Sequence, residues 1–117
     1  RASDGGQVWK TDTSGSTQVI TQFDSSTVII GGHFQWVAQS GGQQCGSNQN
    51  PNENCFHQPR LAALDAGNGQ VVTSWKPQIC CNYTGVWGLA VQGGALHVAG
   101  AFTKAGGRAQ YHYARFS

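Results

Sequence analysis

The sequence predicts an all-β fold from its composition, an internal repeat and the turn signals between short apolar segments. Glycine contributes 17 of the 117 residues and only 10% of the residues are charged, against roughly 7% and 25% in average proteins. Coiled coils and long-helix bundles need abundant Ala, Glu, Lys and Leu, so this composition excludes them. No apolar run approaches the ~20 residues of a membrane-spanning helix. Four Trp, five Phe and three Tyr are too many aromatic residues for a disordered chain.

Two stretches of the chain share one pattern. The residues TVIIGGHF at 27–34 superpose on ALHVAGAF at 95–102, with glycine and phenylalanine in the same places. Residues 19–23 lie over 87–91 at the same offset, and both copies continue through a Gly-Gly pair to a further apolar segment. A third, partial match relates 4–10 to 65–76. Repetition of this kind indicates supersecondary units that stack on one another.

Each copy divides into short strands joined by hairpin turns. The connections at 24–26 and 92–94 are tight and polar, and 65–69 is rich in residues that tolerate positive φ, as hairpins require. The predicted strands lie near 18–23, 27–34, 60–65 and 70–76 in one copy, and at 86–91, 95–102 and 111–116 in the next. Four-stranded meanders in series are typical of β-propeller blades. The sequence therefore predicts a β-propeller segment of about two four-stranded antiparallel blades.

The predicted boundaries are an incomplete blade at 1–15, a blade at 16–77 with an insertion at 35–59, and a blade at 78–117 that lacks its last strand. Two blades expose an edge and a face that they cannot bury alone. We therefore expect other blades as partners, supplied either by a longer polypeptide or by further copies that complete a ring.

The motif G-G-x-F after an apolar strand, followed by a Gly-Gly turn and R-L-A-A-L-D-x-x-x-G-x-V-x-x-x-W, resembles the repeats of secreted bacterial β-propellers. Such repeats are common in actinobacterial extracellular proteins and are related in style to quinoprotein and kelch-like propellers. The resemblance covers 4–116 and implies the fold. The family includes binding modules and scaffolds, so the resemblance implies no single function.

The four cysteines predict a secreted, oxidised protein. Their spacing does not fit a zinc finger or ribbon, and an even number in a chain of low charge suits disulfides. Cys45 and Cys55 lie in the insertion, and Cys80 and Cys81 lie in the connection between the blades, on the same predicted face. The antiparallel third and fourth strands favour cross-links from Cys45 and Cys55 to the adjacent pair. The alternative is Cys45–Cys55 with a vicinal Cys80–Cys81 bridge.

The loop-rich face supplies the candidate ligand-binding residues. Trp36 opens the insertion and is the aromatic residue expected to be most exposed on this face, where a stacking platform would lie, but packing under the loop is the favoured interpretation of the two. Trp9 and Trp75 share a repeat position, which predicts packing between blades, and Trp87 is predicted to be core. Asn82 begins an N-x-T sequon, a pattern that chance alone supplies about once in this composition. The candidate ligand-binding residues are Trp36, Asn48, Asn50, Asn52, His57 and Tyr83.

Catalytic and metal chemistry have no clear signal in the sequence. The histidines at 33, 57, 97 and 112 lack acidic neighbours in sequence that would support metal ligation, and the five acidic residues form no convincing pair. No nucleophile-elbow, phosphate-loop or dinucleotide motif occurs. A net charge of +2 with scattered Lys and Arg does not indicate a basic surface that would bind nucleic acid. We expect no cofactor, no metal and no catalytic residues in this segment.

The favoured hypothesis is a non-enzymatic extracellular binding module that presents a disulfide-stapled loop to a carbohydrate or protein partner. One alternative is part of a secreted propeller enzyme, quinoprotein-like or glycan-active, whose active site lies in other blades. The second alternative is a structural scaffold that completes a ring by association.

Overall fold

The computed structural model describes residues 9–38, 44–48, 55–80 and 85–116. Within these ranges the protein consists of β-strands and turns without a helix, which confirms the all-β prediction. No helix in the described part of the chain is long and apolar enough to cross a membrane. The strands are β1 (Thr17–Asp24), β2 (Thr27–Gly32), β3 (Trp36–Val37), β4 (Phe56–His57), β5 (Leu61–Asp65), β6 (Val86–Gln92), β7 (Ala95–Gly100), β8 (Lys104–Ala105), β9 (Arg108–Ala109) and β10 (Tyr113–Phe116).

Two three-stranded antiparallel sheets form the body of the described structure. The first has the order β1-β2-β5 and the second the corresponding order β6-β7-β10. The β1–β2 turn is held by the Asp24 carboxylate, which accepts hydrogen bonds from the Ser26 N–H and hydroxyl at 2.9 and 3.0 Å. The β6–β7 turn uses Gly93 and Gly94 at φ 60° and 78°, a conformation that glycine adopts without steric cost.

The middle and last strands pair in the same register in both sheets. Four of the five residue pairs between the middle and last strands of the first sheet have a counterpart at the matching repeat positions of the second. The matching pairs are Val28 with Leu64 and Leu96 with Phe116, and Ile30 with Ala62 and Val98 with Ala114. The two sequence copies therefore fold into sheets of the same order and pairing.

A left-handed residue precedes the last strand of each sheet. Arg60 has φ 69° and His112 has φ 68°, an uncommon conformation for residues with a side chain. The Arg60 N–H donates to the Phe34 carbonyl at 2.7 Å, and the His112 N–H donates to the Phe102 carbonyl at 2.9 Å. The same bend, closed by the same hydrogen bond, thus begins the last strand in both copies.

The predicted fourth strand near 70–76 is reduced to a single bridge between Leu64 and Val71. A hydrogen bond from the Val72 N–H to the Ala63 carbonyl at 2.8 Å completes this short pairing. The chain then turns at 73–74, which takes Trp75 away from the sheet edge. The ring of Trp75 packs edge-on against Phe116 of the second sheet at 5.6 Å between centroids. Packing on the next sheet thus replaces continued strand pairing.

Short two-stranded hairpins connect the middle and last strands. In the first copy β3 pairs with β4, and in the second β8 pairs with β9. The β8–β9 connection is the Gly106-Gly107 turn, with both residues at positive φ. The β3–β4 connection instead spans 38–55 and contains two of the cysteines. This longer connection is called the β3–β4 loop below.

The core is divided by the first sheet, because neighbouring side chains on a strand point to opposite faces. Ile29 belongs to a buried cluster that joins both sheets, with Leu61 and Ala63 on one side and residues of the second sheet on the other. Ile30 belongs to a second cluster on the opposite face, together with Leu64. The members contributed by the second sheet to the first cluster include Val86, Leu96, Val98 and Ala114.

The tryptophans differ in their surroundings. Trp9 packs against the Ile30 cluster and donates from Nε1 to the Ala66 carbonyl at 2.8 Å. A Cβ on Gly69 would lie 2.3 Å from the Trp9 ring, so this close approach requires glycine. Trp87 is 55% exposed, so its prediction as a core residue was wrong. Because β6 is an outer strand of its sheet and bulges between Val86 and Gly88, Trp87 lies at the surface.

Candidate ligand-binding site

The β3–β4 loop is closed by a disulfide between Cys45 and Cys55, whose Cα atoms are 5.8 Å apart. Both cysteines are buried and pack with Ala38, and the half-buried ring of Trp36 covers them. The Cys45 N–H also donates to the Asp12 carboxylate at 2.8 Å. The loop is therefore fastened to itself and to the segment that precedes β1.

This pairing corrects the favoured prediction that Cys45 and Cys55 are cross-linked to Cys80 and Cys81. The β3–β4 hairpin reverses the chain inside the insertion and brings the two loop cysteines together. Cys80 lies beside the second sheet's hairpin, where its N–H donates to the Lys104 carbonyl at 3.1 Å. Cys80 is itself disulfide-bonded, and Cys81 lies outside the described residues. The vicinal bridge of the alternative pairing therefore remains a prediction.

Two of the predicted ligand-binding residues meet at the base of the loop. Trp36 and His57 face each other across the β3–β4 pair, and their ring centroids are 4.7 Å apart at an interplanar angle of 44°. Trp36 is half-buried against the disulfide, whereas His57 is exposed and only part of its ring is shielded from solvent. The two rings thus form a small aromatic surface next to the loop.

Asn48 fastens the loop through its side-chain amide. Its Oδ1 accepts hydrogen bonds from the Ser14 hydroxyl at 2.5 Å and the Gln35 N–H at 3.0 Å, and its Nδ2 donates to the His33 carbonyl at 3.0 Å. Three hydrogen bonds from one side-chain amide, two to its oxygen and one from its nitrogen, hold Asn48 and the loop against the segment before β3. Asn50, Asn52 and Tyr83, also predicted as ligand-binding residues, lie outside the described residues.

A cleft of about 360 Å³ lies beside His57, between the end of β4, the segment that leads to the second sheet and the β8–β9 hairpin. It is called the Gln58 cleft below. Ligand sites of small molecules usually occupy roughly 300–1,000 Å³, so this cleft has the size of a small site. Its lining consists of His57, Gln58, Pro59, Lys76, Pro77, Gln78, Ile79, Cys80, Lys104 and Gly107.

Gln58 is the unusual member of the lining. The residue is only 1% exposed, yet neither Oε1 nor Nε2 has a hydrogen-bond partner among the described residues. Its backbone N–H donates to the Gln35 carbonyl at 2.9 Å, which fixes the residue at the end of β4. A buried amide without a partner costs about 1–3 kcal/mol. Sequence reasoning missed Gln58, because a single glutamine before a proline carries no motif.

The cleft has a positive electrostatic character. Lys76 and Lys104 line it, and no acidic side chain of the described residues does so. Burial, followed by the charges of Lys76 and Arg60, lowers the pKa of His57 below its usual 6.5. Burial also lowers the pKa of Arg60, whose Nη1 donates to the Ile79 carbonyl at 3.2 Å behind the cleft wall.

The other histidines lie apart from this site. His97 is hydrogen-bonded to the Tyr113 hydroxyl at 2.6 Å in the second sheet, and His112 occupies the bend before β10. In the portion of the chain that is described, no three side chains of His, Cys, Asp or Glu are grouped so that they could hold a metal ion.

Comparison of the chain with protein-family models, curated proteins and solved structures finds no match.

Proposed function

We propose that the protein is a non-enzymatic extracellular binding module that presents the β3–β4 loop to a carbohydrate or protein partner. The observation that carries this proposal is the difference between two equivalent hairpins. The β8–β9 hairpin closes with a short Gly-Gly turn, so the fold does not require a long connection at this place. The first copy instead holds a long loop with a disulfide, Asn48 and a Trp36–His57 ring pair. Binding residues are often placed on loops that a rigid scaffold positions.

The proposed fold is a pair of consecutive β-propeller blades. Support comes from the shared register of the two sheets and from the way they pack on each other. The face by which the first sheet contacts the second is opposite to the face that the second sheet uses in the same contact. Ile29 and Ala63 of the first sheet pack toward the second, whereas the equivalent His97 and Arg115 lie on the half-buried or exposed face of the second sheet. A further blade, from a longer chain or from another copy, would cover that face. Light scattering that finds only a stable monomer of this chain would exclude ring completion by association.

Secretion is proposed from the disulfide chemistry. The Cys45–Cys55 bridge is present, and bridges of this kind persist in oxidising compartments and are rare in the cytosol. The resemblance to secreted bacterial propeller repeats agrees with this location.

The binding proposal is tested by a glycan array and a protein pull-down with the intact chain. Trp36→Ala and His57→Ala remove the ring pair, and His57→Ala does so without opening a buried cavity. Trp87→Ala is the matched control, since it removes an exposed tryptophan from the second sheet. Loss of binding in the first two variants with retention in the control supports the loop site. Unchanged binding in His57→Ala and Trp36→Ala overturns it.

A further inference from the structure

Gln58 has the signature of a residue kept for a ligand. A buried side-chain amide that lacks hydrogen bonds destabilises the free protein, and an apolar side chain of similar size would avoid that cost. Both polar atoms of Gln58 are unpartnered among the described residues, and the residue lines a cleft. Neither amide atom is open to solvent in the free protein, so a ligand in the cleft supplies the missing partners when the Gln58 side chain turns toward it.

The amide also limits the chemistry of that ligand. It offers one acceptor oxygen and one nitrogen with two donor hydrogens. A hydroxyl group donates and accepts at the same atom, so neighbouring hydroxyls on one molecule satisfy both ends of the amide. Sugar rings carry hydroxyls in such pairs.

The charges add a second constraint. Lys76 precedes the buried Pro77, and Lys104 lies in β8 of the second hairpin. They therefore reach the cleft from different parts of the fold, and no described carboxylate lines it to neutralise them. A carboxylate on the ligand would find two ammonium groups at the site.

The walls between these polar groups are apolar. Pro59, Pro77 and Ile79 line the cleft and offer a surface for the C–H face of a ring, as is usual where a few polar groups orient a ligand in an apolar pocket. The adjoining His57 ring extends this surface toward Trp36.

The geometry points to an acidic saccharide, a sugar unit that carries a carboxylate, as the ligand of the Gln58 cleft. Gln58 hydrogen-bonds the ring hydroxyls, and Lys76 and Lys104 bind the carboxylate. This inference rests on the proposal that the protein is a binding module, and it assigns a ligand class to the cleft beside the β3–β4 loop.

The test is isothermal titration of the intact chain with trigalacturonate, with neutral trigalactose and with a tri-glutamate peptide. Trigalacturonate is expected to bind, with the other two at least tenfold weaker. Gln58→Leu and Lys104→Gln are each expected to weaken trigalacturonate binding by about tenfold or more, as loss of hydrogen bonds to a charged ligand implies. Lys10→Gln, which removes an exposed lysine that is not part of the cleft lining, is the matched control and should bind as the wild type does.

A stability measurement separates a ligand residue from a structural one. Gln58→Leu without ligand should unfold at the same or a higher temperature than the wild type, because it removes an unpartnered buried amide. A lower unfolding temperature together with unchanged trigalacturonate binding overturns the inference.

The outcomes also separate this inference from the proposed loop function. Binding that Gln58→Leu abolishes and Trp36→Ala leaves intact supports the cleft and contradicts the loop site. Trp36-dependent binding of neutral glycans without any effect of Gln58→Leu retains the loop site and overturns the cleft. Preference for tri-glutamate over trigalacturonate overturns the saccharide in favour of an acidic peptide.

Discussion

Removal of the Cys45–Cys55 disulfide is expected to destabilise the whole first sheet. The double variant Cys45→Ala/Cys55→Ala removes a cross-link between residues separated by 10 positions. For a loop of this length, the loop-closure relation gives a loss of about 2.7 kcal/mol in the free energy of unfolding at 25 °C, because the unfolded chain without the cross-link has a larger entropy. For a domain of 117 residues, this corresponds to a fall of roughly 10 °C in the unfolding midpoint.

The effect should extend beyond the loop, because the disulfide is part of the packed structure. Both cysteines are buried beside Ala38 and Trp36, and the Cys45 N–H is bonded to Asp12. The assay is thermal and urea unfolding of the oxidised wild type and the double variant, followed by near-UV circular dichroism and tryptophan fluorescence. A midpoint shift of less than about 2 °C would mean that the loop opens independently of the sheets, and would refute the reasoning.

The pairing itself is tested by tryptic digestion without reduction. The chain has no Lys or Arg between positions 11 and 59, so trypsin releases 11–60 with Cys45 and Cys55 on one peptide. This peptide should be released alone, two hydrogens lighter than its reduced form. Recovery of 11–60 linked to the peptide that contains Cys80 would contradict the Cys45–Cys55 pairing.

Three further predictions concern backbone, packing and protonation. Gly85→Ala should destabilise by roughly 2–4 kcal/mol in urea unfolding, because Gly85 has φ 73° and a Cβ there would lie 2.1 Å from a backbone oxygen of β2. Gly94→Ala, at φ 78° with nothing within 4 Å, should cost only about 1–2 kcal/mol, and equal losses would refute the steric argument. Trp75→Ala should lower the free energy of unfolding by roughly 3 kcal/mol through lost packing. Trp87→Ala should change it by no more than about 0.5 kcal/mol, and a larger loss in Trp87→Ala than in Trp75→Ala would contradict the packing assignment. Because burial and neighbouring cations lower the pKa of His57, the unfolded chain binds more protons as the pH falls through 6.5, and stability is lost on acidification. The loss between pH 7.5 and 5 should be smaller in His57→Gln, and an identical loss would count against the shift.

The strands of the body were predictable because their signals are local. Alternating apolar residues and short polar turns fix strand and hairpin within a few positions. The segments predicted near 18–23 and 27–34 correspond to β1 and β2, which extend over Thr17–Asp24 and Thr27–Gly32. The repeat also placed the strands of the second sheet, since Val28 and Ile30 recur as Leu96 and Val98 and are followed by the same glycine and phenylalanine positions.

The features that were predicted wrongly or not at all depend on contacts between distant parts of the chain. The segment near 70–76 has strand-forming residues, but Trp75 packs on Phe116 of the second sheet instead of extending the first sheet. The cysteine pairing depends on the two-residue strands β3 and β4, which are too short to leave a periodic signal. The left-handed Arg60 was equally hidden, because non-glycine residues at positive φ carry no marker in the sequence.

The candidate site was predictable only in part. Trp36 and His57 were singled out because they belong to the elaborated connection, and the structure brings their rings together. Asn48 was named for a ligand, but its amide is mostly used within the protein. Gln58 could not be found from sequence, since the lack of hydrogen-bond partners for its buried amide among the described residues is visible only in the folded structure.

The bend at Arg60 and His112 makes the connection before each last strand a natural place for grafting. In both copies, the hydrogen bond to Phe34 or Phe102 fixes the two ends of the connection, so its length is free to vary. The connection holds 25 residues in the first copy, 35–59, and 9 in the second, 103–111. Loop-closure entropy makes the longer one costlier by only about 0.9 kcal/mol. A library of foreign loops inserted between Phe102 and His112 should therefore fold on the unchanged sheets, which makes this chain a scaffold for engineered binders.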